Sequence, residues 1–175
     1  MIVVGVDTGA LGALAFLTES GELLSVADMP VDLVEVAGKE RKRISAPRLA
    51  DLLRPLADGA HLFCELPTGR PLFGRNKQTG QVETRTPGAA GMLALGESVG
   101  MVRMAAAAFS LAFTGMQPGV WKKALRCPAG KDDARRMAME TFPAHRSLFA
   151  RKKDDGRAEA TLIAVYGLRT LSRKM

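Results

Sequence analysis

The first thirty positions alternate short apolar runs with turn chemistry, a pattern that predicts consecutive antiparallel strands. Ile2–Val6 is β-branched and apolar. Two further runs, 13–17 and 23–27, are set off by Gly12 and by Glu19-Ser20-Gly21-Glu22, which suit hairpins. From 46 the period changes. Leu49, Leu52, Leu53 and Leu56 recur at helical spacing, with Pro47 in a first-turn position. The apolar run HLFCEL, 61–66, stops at Pro67 and reads as a buried strand.

Residues 68–88 show no sustained period and are rich in Gly, Pro and polar residues, which predicts a long loop of the kind that is usually functional. The Ala-, Leu- and Met-rich stretch 91–108 predicts a buried helix. Gly91, Gly96 and Gly100 weaken it by ~1 kcal/mol each relative to Ala, unless small residues serve close packing or backbone approach to a ligand. A fifth strand is expected at 110–114 and helices at 118–125, 131–142 and 157–171. Three hairpin strands followed by alternating helices and strands give an α/β layered domain with a mixed sheet, which binds ligands beyond its strand ends.

A length of 175 residues reads as a single domain over 1–175 and excludes a two-lobed actin-like sugar kinase or ATPase, which shares an opening strand and Asp-x-Gly. The net charge of +7 favours an anionic partner. It is unevenly spread: 1–100 carries −2 and 101–175 carries +9, so an anion-binding face should draw on the C-terminal part. Cys64 and Cys127 lack zinc-type spacing and read as buried thiols of a reducing compartment. Asp7 interrupts the apolar N-terminus, and no window supplies ~18 uncharged apolar residues, so a cytoplasmic chain with no membrane partner is expected.

Asp7 follows the first strand directly, and a carboxylate there needs cations, metals or donors unless it serves as an Asx-type turn cap. Glu65 repeats the pattern at the end of HLFCEL. In KKDDGRAEATLIA, Asp154 and Asp155 precede a helix that carries Glu159, and 155 and 159 share a face. Alone these acids read as ordinary capping. Gathered beside Asp7 and Glu65 they would repel one another without divalent cations, and oxygen donors without His or Cys suit Mg²⁺ or Mn²⁺.

These residues carry a resemblance. The ordered set VVGVDTGALGALAFL, FCELP, QPGVWKKAL, GKDDARRMAMETFP and RKKDDGRAEATLIAVYG resembles the RuvC-like Holliday junction resolvases, especially their phage-type members, from 2 to about 167. The resemblance implies an RNase H-like fold with a five-stranded mixed sheet flanked by helices, and a two-metal carboxylate site. By motif position it makes Asp7 and Glu65 the strand-borne ligands, with Asp7 bridging both ions. Asp154 and Glu159 match the helix-borne acids, while Asp155 replaces a frequent His and either joins the site or flanks it. The implied chemistry is hydrolysis of four-way junctions in paired nicks that leave 5′-phosphates, by a C₂ homodimer presenting one site to each scissile strand. Helix 91–108 is a candidate dimer face.

Within that frame the basic residues form a candidate DNA surface: Lys122, Lys123 and Arg126, then Lys131, Arg135 and Arg136, then Arg151, Lys152, Lys153 and Arg157. Lys131, Lys152 or Lys153 could neutralise charge at the reacting phosphate. The 68–88 loop adds Arg70, Arg75, Lys77 and Phe73, the last either a wedge between bases or a loop anchor. The run KERKR, 39–43, is a DNA-contacting hairpin or an exposed loop. Trp121 reads as half-buried packing and Met101, Met104, Met137 and Met139 as core filler. Two other readings share these motifs: an RNase H-like nuclease for RNA processing, flaps or forks, and a non-catalytic junction-binding module.

Overall fold

The N-terminal apolar runs form β1 (Ile2–Val6), β2 (Ala13–Thr18) and β3 (Leu23–Asp28), each antiparallel to the one before. The computed structural model describes residues 1–173 apart from 37, 58, 69–71, 76–79, 86–87 and 129, and at 72–75, 82–85 and 131 it describes the backbone alone. β4 (Val31–Val36) and β5 (Lys39–Ile44) make a separate two-stranded ribbon. After α1 (Ala46–Leu53) comes β6 (Ala60–Glu65), then β7 (Leu72–Arg75), β8 (Val82–Arg85) and α2 (Ala89–Ala108). The chain finishes with β9 (Ala112–Met116), α3 (Pro118–Leu125), α4 (Lys131–Thr141) and α5 (Asp155–Ser172).

The main sheet has the order β3-β2-β1-β6-β9, with β6 parallel to both β1 and β9, which is the expected five-stranded mixed sheet flanked by helices. Alternation along β1 decides the layers. Val4 and Val6, with Leu62 and Cys64 of β6, face Leu49 and Leu53 of α1 and Val102 and Ala106 of α2. Val3 and Phe63 face the opposite way, onto Leu162 and Ile163 of α5 and onto Trp121. Each such fully buried aliphatic side chain contributes ~1.5–3 kcal/mol of transfer free energy.

Helix α5 lies against β1 so closely that only glycine fits beneath it. A Cβ on Gly5 would sit 2.0 Å from the Ala160 carbonyl oxygen and 2.4 Å from the Ala164 nitrogen. This approach fixes the level at which the start of α5 meets the ends of β1 and β6.

Several expectations change: α2 is a helix but buries only Ser98, Val102 and Ala106, and Trp121 is fully rather than half buried. Residues 68–88 contain a β-hairpin, with Leu72 opposite Arg85 and Arg75 opposite Val82; backbone pairing there needs no apolar period. Of the two readings of the KERKR run the hairpin holds: it is strand β5, paired antiparallel with β4 by cross-strand bonds rather than by a buried face. Met104 is 68% exposed and fills no core. Among the described residues no helix is long and apolar enough to cross a membrane.

Candidate active site

Parallel pairing of β1 and β6 in the register Val6 to Cys64 brings their next residues, Asp7 and Glu65, out of adjacent strands at one level. A tight turn then folds back over Asp7. Its N–H donates to the Ala13 carbonyl at 3.0 Å, and its Oδ1 accepts from Gly9 N–H at 3.1 Å. The Asx-turn role is therefore real, and it orients the carboxylate through Oδ1. Buried Thr8 donates its hydroxyl to the Glu65 carbonyl at 3.3 Å, tying the two strand ends together.

The first turn of α5 closes the third side. A Cβ at Gly156 would stand 2.4 Å from the Leu11 carbonyl and 3.2 Å from Asp7 Oδ2, so the helix backbone rests against the carboxylate. Glu159, one turn on, reaches Lys122 of α3, whose Nζ lies 2.8 Å from Glu159 Oε1. Trp121, fully buried, donates its indole N–H to Glu65 Oε2 at 2.6 Å. The Lys122 ammonium also lies 5.0 Å from the centre of the Trp121 ring.

Burial pushes the Glu65 carboxyl up to about 7; the Trp121 hydrogen bond opposes the rise, and the charges of Glu159 and Asp7 reinforce it. Burial opposes the charge on Lys122, but the hydrogen bond and charge of Glu159 prevail and raise its pKa. Burial likewise pushes the Cys64 thiol up to about 12, leaving it inert.

The five acids predicted from sequence thus divide. Asp7, Glu65 and Glu159 come together. Asp154 is only 2% exposed and is engaged by Arg151, whose backbone N–H donates to Oδ2 at 2.8 Å and whose guanidinium donates to Oδ1 at 2.9 Å. Burial disfavours its ionisation, yet these bonds hold its carboxyl below the usual range. Asp155 lies on the same face of α5 as Glu159 and borders a cavity shared with Leu11, Gly12 and Lys153.

Among the described residues no three His, Cys, Asp or Glu side chains already stand around a single ion position, and Glu159 is turned to Lys122. The fit to a metal is one of donor chemistry. Asp7, Glu65 and Glu159 are oxygen donors, without nitrogen or sulfur, and burial holds Glu65 back from ionising while the charges of Glu159 and Asp7 add to it. A hard divalent cation would relieve that repulsion, and oxygen donors suit Mg²⁺ or Mn²⁺ better than zinc.

The basic candidates also divide. Lys123, Lys152 and Lys153 are exposed, and Lys153 borders the cavity that Asp155 lines. Arg157 instead donates to both oxygens of Asp28 at 2.5 and 2.6 Å, clamping α5 to β3. Arg135 pairs with Asp132 and donates to the Phe149 and Ala150 carbonyls, so it braces the chain before α5. Arg70 and Lys77 lie outside the described residues, as do the side chains of Phe73, Arg75 and Lys131. Sequence reasoning missed the bond from Trp121 to Glu65. The available signal was that a buried indole N–H needs an acceptor.

This arrangement defines an α/β protein whose acids sit at the ends of adjacent parallel strands and on the helix packed across them. Among solved structures the chain is similar to "T. thermophilus RuvC in complex with Holliday junction substrate", with TM-score 0.56 and 17% identity over 97% of this chain and 96% of that one. It is also similar to the "Thermus thermophilus RuvC structure", with TM-score 0.48 and 16% identity over the same shares. No family model matches the sequence, and no curated protein sequence does. The fold is RuvC-like and RNase H-like, as the residues at 2–167 led one to expect.

Proposed function

We propose that this protein is a structure-selective endonuclease that resolves four-way DNA junctions. The observation that supports this most directly is the convergence of Asp7, Glu65 and Glu159 within a RuvC-like fold. The RuvC structure similar to it at TM-score 0.56 is a complex with Holliday junction substrate. Asp7, Glu65, Glu159 and Asp155 would hold two Mg²⁺ or Mn²⁺ ions. Such ions, when bound, lower the pKa of a water and neutralise charge at a phosphodiester.

The chain's own residues supply the rest. Gly9 N–H holds Asp7 Oδ1 so that Oδ2 faces α5, and Trp121 holds Glu65 Oε2 in place. Lys122 brings a positive charge to Glu159, where it balances the acid cluster and faces the developing negative charge of substrate. Lys123, Lys152 and Lys153 supply phosphate contacts at the rim.

A junction has two equivalent scissile strands, and a homodimer with two sites matches it. Helix α2 is the proposed contact. Its twenty residues carry only Glu97 and Arg103 as charges, yet only Ser98, Val102 and Ala106 are buried.

The test is cleavage of a labelled four-way junction beside linear duplex, flap and RNA–DNA hybrid, in Mg²⁺ and in EDTA. Paired symmetric nicks in the junction, abolished by EDTA and by Asp7→Asn, are the expected result. Binding without cutting in Mg²⁺ would sink the nuclease reading, and preferred cutting of flap or hybrid would sink its substrate.

A further inference from the structure

The β4–β5 ribbon is the basic feature that the proposed chemistry leaves without a task. Its register, Val31 opposite Ile44 through Val36 opposite Lys39, puts Lys39, Arg41 and Arg43 on one face. Those three border a cavity of about 510 Å³ whose other wall is Ala90, Gly91 and Ala94, in the first turns of α2. Helix α2 starts at Gly88 without a side-chain cap, so the positive end of its dipole faces the same cleft.

The ribbon's charge is not consumed locally. Asp32 is paired with Arg48, and Arg43 reaches Glu97 at 3.5 Å. Lys39, Arg41 and Lys42 are exposed and, among the described residues, form no ion pair. Lys42 also extends the basic lining inward. With Arg43 it borders a second cavity that reaches Ala10, and it borders a third that passes Leu11 and Gly12 to Arg151 and Lys153. These cavities lead from the basic ribbon toward the turn that follows Asp7, the last of them also bordered by Asp28, Asp154 and Asp155.

A site for a small anion would draw its cations to one point. Here they are strung along a strand, ~6.8 Å apart at every second residue, twice the ~3.4 Å axial spacing of phosphates on one DNA strand. A regular polyanion is the partner with that spacing.

We infer that the β4–β5 ribbon and the first turns of α2 form a docking surface for the sugar–phosphate backbone of a duplex DNA arm leading into the acid cluster. For its substrate this rests on the nuclease reading above.

The test uses full-length Asp7→Asn protein in EDTA. Anisotropy titrations of a labelled four-way junction, and of a linear duplex with the sequence of one arm, are run from roughly 50 to 200 mM salt. Replacing Lys39, Arg41 and Lys42 together by Ala should weaken binding to both DNAs about tenfold or more at the low-salt end. The slope of log K against log salt should fall by about 2–3, near 0.9 for each phosphate no longer neutralised. Arg54→Ala, just beyond α1 and paired with Asp51, should leave the slope unchanged. Arg41→Glu alone, on the exposed face, repeats the measurement should the triple variant melt early.

Parental affinity and slope in the ribbon variants would overturn the inference. Cleavage of junctions by the unmodified protein, run in parallel, separates the two readings. Junction cutting with an unchanged slope sinks the ribbon's role alone. A reduced slope on duplex, in a protein that cuts no junction, sustains the ribbon's role and sinks the nuclease reading.

Discussion

Glu65 concentrates the tension in the site, because burial and two neighbouring acids all disfavour its charge while Trp121 supports it. Its carboxyl titrates near 4.5 in an unfolded chain and at about 7 when folded. Between those values the native state holds a proton that the unfolded state has released. In EDTA, stability should therefore fall as pH rises from about 4.5 to 7 and level off above, by on the order of 3 kcal/mol from this group. Glu65→Gln keeps an oxygen to accept the Trp121 bond and removes the titration. Urea melts across that range should show the parent losing stability and the variant losing none from this position; parallel curves would refute the assignment. Trp121→Phe tests the other partner, since it retains the ring that packs among Leu125 and Ile163 but lacks the N–H donor. Loss of a charge-assisted bond of ~1.5–3 kcal/mol should weaken Mn²⁺ binding about tenfold or more by calorimetry, with a native circular dichroism spectrum.

At the scale of elements, the meeting of α5 with the β1–β2 turn sets the geometry, and glycines decide it. Gly156→Ala would drive a Cβ into the Leu11 backbone, an obstacle that cannot rotate away. The start of α5 must then shift, at ~1–3 kcal/mol, and junction cleavage should fall by at least tenfold as Glu159 moves away from Asp7. Gly119→Ala in α3, where the added Cβ meets nothing within 4 Å, should raise stability by about 0.5–1 kcal/mol and serves as the contrast. Much of this framework was legible in sequence, because β1, β2, β6, α1 and α5 bury a face and so carry a period. The ribbon was legible only in part: KERKR read as a hairpin or a loop, while in β4 Asp32, Leu33, Glu35 and Val36 all lie exposed, and a strand with no buried face writes no clear alternation. The site was legible where topology alone fixes it, at Asp7 and Glu65. Asp154 and Glu159 both match by motif position, and what the sequence does not show is that Arg151 engages Asp154, because those bonds follow from the conformation of a 3₁₀ turn.

For the whole molecule, the proposed junction substrate would require one chain with one acid cluster to take part in two matched cuts. Helix α2 offers a contact that could pair two copies. Leu93, Gly100 and Met104 fall seven and four residues apart on a single face, with Leu93 75% and Met104 68% exposed. Apolar side chains this open on a helix with two charges suit the surface that the proposed dimer would cover. The cleft facing the basic ribbon uses Ala90, Gly91 and Ala94, a different side of the helix, so dimer contact and DNA contact need not compete. A two-fold axis through the Leu93 face makes each residue meet its own counterpart region, and a cation placed there meets another cation. Leu93→Lys with Met104→Lys should therefore turn a dimer into a monomer in light scattering at micromolar concentration, while far-ultraviolet dichroism stays unchanged because both positions are solvent-facing in the single chain. The monomer should still nick a junction but lose the near-simultaneous second cut, which a supercoiled plasmid bearing a cruciform reports as nicked circles accumulating ahead of linear product. A variant that remains dimeric would place the axis elsewhere. A parent that is monomeric yet yields linear product directly would remove the need for a dimer altogether.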